Sequence, residues 1–141
     1  MKDVQKYYQL AIEASKIIEW LPEVILSQWQ VETAHFTSNN FLKNNNIAGQ
    51  TWQTYMPLSI KGSARPKGEG GFYIKYANPV DGYVNFIEKN PRYSKVKNFK
   101  TAEEQFKEIA KQGWATAPNY AKTLLSVHNS NIKKGIYKID K

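Results

Sequence analysis

The sequence predicts an α+β domain that is mainly helical, with one small β-hairpin lobe set between helices. Three features carry that prediction. Apolar residues recur at spacings of three and four through most of the chain, the period of a one-sided helix. Only residues 52–76 leave that period, with loose alternation around a Gly-rich stretch. Finally, 141 residues at 41% hydrophobic content suffice for one core, so residues 1–141 read as a single domain without linker or internal repeat.

In chain order, the first helix covers residues 2–18, where Val4, Tyr7, Tyr8, Ala11, Ala14, Ile17 and Ile18 form one apolar stripe. Glu19-Trp-Leu-Pro22 breaks it. Proline suits the first turn of the next helix, where a missing N–H costs nothing. Glu23 follows in that turn, where the helix dipole favours negative charge. The second helix extends to about Ala34 and is apolar or amide-bearing from Val24 to Val31, which marks it as central. Thr37-Ser-Asn-Asn40 stops it, Phe41-Leu42 begins a short helical turn, and Asn44–Gln50 is loop. Tyr55–Ile60 and Phe72–Tyr76 are predicted strands joined by the long loop Lys61–Gly71, giving a β-lobe at about residues 52–76. Asn78-Pro79 caps a helix that carries Val80, Tyr83, Val84, Phe86 and Ile87 to about Lys89. Thr101-Ala-Glu-Glu104 has the capping-box pattern and opens a helix that Gly113 ends. The last helix runs from Tyr120 to about His128. Asn129-Ser-Asn131 then turns, and Ile136–Ile139 is either a terminal strand or frayed chain.

Composition removes several function classes. No apolar run is long enough to span a membrane, and the N-terminus opens as a charged amphipathic helix and not as a signal peptide. There is no cysteine, and two histidines far apart do not make a zinc site, so no metal or cofactor is expected. The glycines at 62 and 68–71 are not followed by Gly-Lys-Ser/Thr, so they make no phosphate-binding loop. The net charge of +8 and pI near 9.5 favour an anionic partner. Nucleic acid and an anionic cell-wall polymer both qualify by charge, but the lysines are scattered at helical spacings without a run of five or six, so no dedicated nucleic-acid tail is present and no nucleic acid is expected.

The chain has twelve acidic residues, and most have structural homes. Glu23, Asp81, Glu103 and Glu104 occupy first turns of helices, and Glu13, Glu88 and Glu108 fall on polar faces. Asp3 and Asp140 are terminal, and Glu19 lies at a helix break. Glu32 and Glu69 remain. Glu32 shares a helical face with Ile25, Trp29 and Phe36. A carboxyl among large apolar side chains is either ion-paired or pushed towards protonation, and the second case describes a general acid; the plain alternative is an acid half exposed at the rim of the helix. Glu69 sits between glycines in Gly68-Glu-Gly-Gly71, where backbone can approach a ligand closely or simply form a loop tip. One neutral and one ionised carboxyl are what glycosidic cleavage requires. Aromatic side chains make up 13% of the chain, and Trp52, Tyr55, Phe72, Tyr73, Tyr76, Trp114 and Tyr120 are candidates to stack on sugar rings, although several must be core.

The same residues resemble a known family. Ile25-Leu-Ser-Gln-Trp-Gln-Val-Glu-Thr33, Asn46-Ile-Ala-Gly49, Phe72–Tyr93 with its Asn90-Pro-Arg-Tyr93 end, and Gly113-Trp-Ala-Thr-Ala-Pro-Asn-Tyr-Ala121 resemble, in order, four blocks of the bacterial glucosaminidases of glycoside hydrolase family 73. The resemblance covers about residues 20–127. It implies a lysozyme-like fold, with a helical lobe and a small β-lobe flanking a substrate groove. It implies hydrolysis of the β-1,4 bond between N-acetylglucosamine and N-acetylmuramic acid in peptidoglycan glycan strands, by a monomer acting outside the cell, in the wall or from a virion. Glu32 takes the general-acid position, Tyr120 matches a tyrosine lining the family's active site, and Asn46 lies in the matching loop motif. Two departures matter. Thr54–Ser59 lacks the second acid that the family often carries there, so Glu69 is the substitute by position, and Ala117 replaces an aspartate that would cap the last helix. The inverting and substrate-assisted retaining routes both stay open. The rivals are a lytic transglycosylase or muramidase of the same fold, and a non-catalytic module binding cell wall or nucleic acid.

Overall fold

A computed structural model of the chain describes residues 2–138; Ile139 and Asp140 lie outside them. Helix α1 (Lys2–Ile18) buries its stripe of Val4, Tyr8, Ala11, Ala14 and Ile18. Helix α2 (Pro22–Glu32) is the centre of the molecule: Val24, Ile25, Leu26, Ser27, Gln28 and Trp29 are fully enclosed. No side chain caps its start, but the Leu21 N–H donates to Gln105 Oε1 at 3.0 Å, so a distant residue performs the cap. Each large apolar side chain enclosed here contributes roughly 1.5–3 kcal/mol. Helices α1, α4 (Pro79–Glu88) and α6 (Tyr120–Lys133) wrap this core, and α5 (Ala102–Lys111) packs beside α6. The short α3 (Asn39–Asn44) leads from the helical lobe to the β-lobe. Asn78, Ser38 and Thr101 cap α4, α3 and α5, each accepting a backbone N–H three residues on.

Three element boundaries differ from the sequence expectation, one through a local strap and two for a tertiary reason. Helix α2 stops at Glu32, not at Ala34. Ala34, His35 and Phe36 are left-handed, at φ of 49°, 57° and 65°, a strained run for residues with a Cβ. Thr33 straps it: its hydroxyl donates to Trp29 O at 2.6 Å and accepts the Phe36 N–H at 2.7 Å. Phe36 still reaches the core, stacked 4.1 Å from Tyr7, but from the turn and not from the helix.

The first strand is displaced as well. Residues 55–60 form turns and a 3-10 segment, Leu58–Ile60, and the strand pair is β1 (Lys61–Ala64) with β2 (Phe72–Ile74). The two run antiparallel, Lys61 opposite Ile74 and Ala64 opposite Phe72. Asn44 decides this register, accepting the Ser63 N–H at 3.1 Å and donating to the Ser63 hydroxyl at 2.8 Å. Gly62 is therefore a strand residue placed for close approach, not a loop residue. A Cβ there would lie 2.5 Å from Asn44 Oδ1 and 2.8 Å from Tyr73 O. Gly62→Ala is expected to destabilise the fold by ~1–3 kcal/mol, read as a lower urea midpoint; an unchanged midpoint would show that the lobe yields freely.

The last helix runs through Asn129–Asn131 to Lys133 and does not turn at them. Asn131 is buried and exchanges two amide hydrogen bonds with Gln30, at 3.1 and 2.6 Å. An asparagine satisfied across a helix interface no longer competes for its own backbone. Residues 134–137 form a turn and Ile136 is buried; the part of the terminal segment at Ile139 lies outside the described residues.

Candidate active site

The end of α2 delivers Glu32 to a cleft of about 380 Å³ between the lobes. Ser38, Ile47, Ala48, Tyr73 and Trp114 are among its other walls. Gly113, in the left-handed conformation at φ of 84°, ends α5 and turns the chain so that Trp114 faces α2. Trp114 Nε1 donates to Glu32 Oε1 at 2.5 Å, and the Tyr120 hydroxyl, from the first residue of α6, donates to the same oxygen at 2.8 Å. Behind Tyr120 the bonds continue into the core. Gln28 Nε2 donates to the Tyr120 hydroxyl at 3.2 Å, and the enclosed Tyr83 hydroxyl donates to Gln28 Oε1 at 2.5 Å. Tyr83, Phe86 and Tyr93 hold the Trp114 ring at centroid distances of 6.0, 4.9 and 5.2 Å.

This arrangement has an electrostatic consequence. Burial raises the Glu32 carboxyl above its ordinary value, and the bonds from Tyr120 and Trp114 act against that rise. Desolvation dominates, so the neutral acid persists to higher pH than a surface glutamate would allow. Both protein donors meet Oε1. The proton of the neutral form therefore belongs on Oε2, which has no hydrogen-bond partner among the described residues. Once that proton leaves, the two donors steady the carboxylate. Burial and the Glu32 charge likewise push the Tyr120 hydroxyl far up, so it stays a donor and is no base. The group is chemically a proton donor held at the wall of an open cleft, able to protonate a leaving oxygen. Among the described residues, no group of three or more His, Cys, Asp or Glu side chains is placed to hold a metal ion.

The other carboxylates stand apart. Glu69 is exposed on the hairpin, 3.4 Å from Arg65 Nη2, and is not among the residues lining the cleft with Glu32. Glu108, read as a surface acid, is buried and accepts from Gln112 Nε2 at 2.7 Å, also away from the cleft.

Trp114 and Tyr120 meet at Glu32 and Tyr73 lines the cleft with them, whereas the remaining aromatic candidates do not line it. Tyr76 bonds through its hydroxyl to Gln50 and packs its ring on Gly82. Trp52 and Phe72 share the Lys61 ammonium, 4.9 and 4.0 Å from their ring centroids, and Tyr55 is 82% exposed. Asn46 is buried and commits its amide to Gln50 O at 2.7 Å, Ile74 O at 2.9 Å and the Gln50 N–H at 2.9 Å. It thus shapes the loop whose next residues, Ile47–Gly49, form the cleft wall. The sequence reading passed over Ser38 and Gln28. Gln28 carried a signal, since it stands four residues before Glu32 and shares its helical face. Ser38 carried none, because only the folded chain brings it to the acid.

The chain is similar to known proteins in both sequence and shape. Residues 8–133 match the glucosaminidase family, described as mannosyl-glycoprotein endo-beta-N-acetylglucosaminidase. A peptidoglycan hydrolase FlgJ of Vibrio parahaemolyticus is 30% identical over 133 residues, covering 83% of this chain and 42% of the relative. The FlgJ of Salmonella typhimurium is 38% identical over 55 residues, 39% of this chain and 17% of the relative. This chain therefore spans less than half the length of these curated relatives. Among solved structures, the glycoside hydrolase domain of Salmonella typhimurium FlgJ superposes with a TM-score of 0.77 at 23% identity, covering 95% of this chain and 89% of that one. A peptidoglycan hydrolase from Sphingomonas sp. A1 gives a TM-score of 0.72 at 18% identity, covering 95% and 94%. The fold is that of these lysozyme-like domains.

Proposed function

The chain belongs to the glucosaminidase family, and on that premise we propose that it hydrolyses peptidoglycan glycan strands at the β-1,4 bond from N-acetylglucosamine to N-acetylmuramic acid. The observation that carries this reading is the half-buried Glu32, with its carboxyl raised by desolvation and both protein donors on one oxygen. The name peptidoglycan hydrolase borne by the Vibrio and Salmonella relatives supports the substrate. The basic surface suits a wall rich in anionic polymer, and the site of action is then the cell wall.

In this mechanism Glu32 Oε2 gives its proton to the bridging oxygen as the bond to C1 breaks. Among the described residues no second carboxylate lines the cleft with Glu32, which favours the substrate-assisted route. The oxygen of the substrate's own 2-acetamido group attacks C1 and closes a cyclic oxazolinium ion. Water then opens that ion, losing a proton to the Glu32 carboxylate, and the β-anomer is released. The alternative is inversion with Glu69 as general base, which requires the hairpin tip to come over the cleft.

Two measurements separate these routes. Product NMR is expected to show the β-anomer first, and an initial α-anomer would overturn the acetamido route. Glu69→Gln is expected to change turnover by less than about tenfold, against the ~100-fold or more that loss of an essential acid or base produces. Mass spectrometry of digested peptidoglycan is expected to show reducing-end N-acetylglucosamine. Anhydromuramic products would make the protein a lytic transglycosylase instead. A zymogram on cell walls tests the substrate class as a whole, and a band that Glu32→Gln leaves undiminished would point to a different reaction.

A further inference from the structure

The cleft at Glu32 does not end at the acid. A second chamber, of about 480 Å³, opens between α3 and the hairpin. It shares Ser38, Asn40 and Tyr73 with the first, so the two form one continuous groove. Its chemistry is one-sided. Asn39, Lys43 and Ser63 complete its polar wall, and among the described residues no acid lines it.

The hydrogen bonds already made leave donors facing the space. Ser38 Oγ accepts the Phe41 N–H at 3.3 Å, and Ser63 Oγ accepts from Asn44 Nδ2 at 2.8 Å, so each hydroxyl keeps its own proton to give. Asn40 has committed its amide to Asn46 O and to Asn44, which makes it a fixed wall. Among the described residues, the Lys43 ammonium makes no ion pair and the Tyr73 hydroxyl has no hydrogen-bond partner. The chamber thus offers a cation and several hydroxyl donors, and it lacks a matching acceptor. A ligand with a negatively charged acceptor, carried on a polar ring, would satisfy it.

We propose that this chamber is a subsite for a carboxylate-bearing sugar of the glycan strand, with Lys43 as the specificity residue that reads the carboxylate. The proposal rests on the glycan-cleaving reading above and adds to it a preference along the strand. One sugar in two of such a strand carries a lactyl ether. Its carboxylate is free where the stem peptide is absent. Where the peptide is present, the nearest carboxylates belong to the peptide. Lys43 recognises the same group in either case, as a partly exposed charge pair.

The test measures binding, so that it stands apart from turnover. Glu32→Gln protein is titrated at low salt with three glycans of equal length: peptide-bearing strands, strands stripped of peptide, and either of these with every carboxylate converted to a neutral methylamide. Carboxylate-bearing strands are expected to bind about threefold to tenfold more tightly than their neutralised counterparts. Lys43→Ala in the same background is expected to abolish that preference, and Lys43→Glu to reverse it. A preference on stripped strands alone assigns the lactyl carboxylate, and one on peptide-bearing strands alone assigns the stem peptide. No preference, or one that survives Lys43→Ala, overturns the subsite. Failure of the wild-type protein to release reducing ends from any of these strands overturns the glycosidase reading instead, and leaves the binding result to judge the chamber.

Discussion

Glu32→Gln is expected to cut glycan hydrolysis by ~100-fold or more, and at neutral pH to leave a protein more stable than the wild type. Both halves follow from one observation. Burial raises the carboxyl above its ordinary value of 4.5, so the native state holds the proton more tightly than the unfolded chain does. Below the ordinary value both states are protonated, and the wild type and the glutamine variant should be matched. As pH rises through the window between the ordinary and the raised value, the unfolded chain releases its proton first, and wild-type stability falls. Above that window the wild type buries a charge, and glutamine does not. The amide oxygen of glutamine can still accept from Trp114 and Tyr120, so the variant keeps those bonds. Urea unfolding of both proteins from pH 3 to about 8 is expected to give curves that part on the alkaline side, with the variant above. A variant that is less stable at neutral pH would mean that Glu32 serves the fold and not the reaction.

Gln28→Leu is expected to cost ~2–4 kcal/mol of stability and to lower turnover as well. Gln28 is enclosed and links two buried hydroxyls, accepting from Tyr83 and donating to Tyr120. Leucine fills similar space and offers neither bond. The Tyr83 hydroxyl would be left buried without an acceptor, and each such orphan costs about 1–3 kcal/mol. Tyr120 would keep its bond to Glu32 but lose the one that aims it, so the acid would be held by Trp114 and a looser tyrosine. The two effects separate experimentally. Denaturant midpoints report the fold, and kcat at a temperature where the variant is fully folded reports the aim. A folded variant with wild-type kcat would show that Tyr120 is positioned by packing alone.

Much of the helical lobe was legible in order along the chain, because its signals are local. The stripe of α1, the proline opening α2, the Asn78 and Thr101 caps and the stop at Gly113 each act within one or two turns. Glu32 was legible for a similar reason, as one carboxyl on an apolar helical face. Two of the boundaries that moved depend on partners farther away in sequence, and the third, at the end of α2, rests on a local strap. Asn131 remains helical through Gln30, β1 takes its register from Asn44, and α2 ends early because Thr33 straps a left-handed turn.

The site divides along the same line. Residue type and helical period narrowed twelve acids to Glu32 and Glu69, since a carboxyl on an apolar face stands out in a pattern, and the resemblance of the motif blocks gave Glu32 its expected role. They also supplied Trp114 and Tyr120 as aromatic candidates. Three things required the folded chain. Trp114 and Tyr120 meet one carboxylate oxygen, which leaves the proton to the other. Glu69 stands on the exposed hairpin beside Arg65, while Tyr73 and Ser38 line the cleft. The groove continues past the acid to Lys43. Periodicity reports which side of its own helix or strand a residue occupies. Which sides then face each other, and so which donors reach one oxygen, depends on long-range packing that no local pattern encodes.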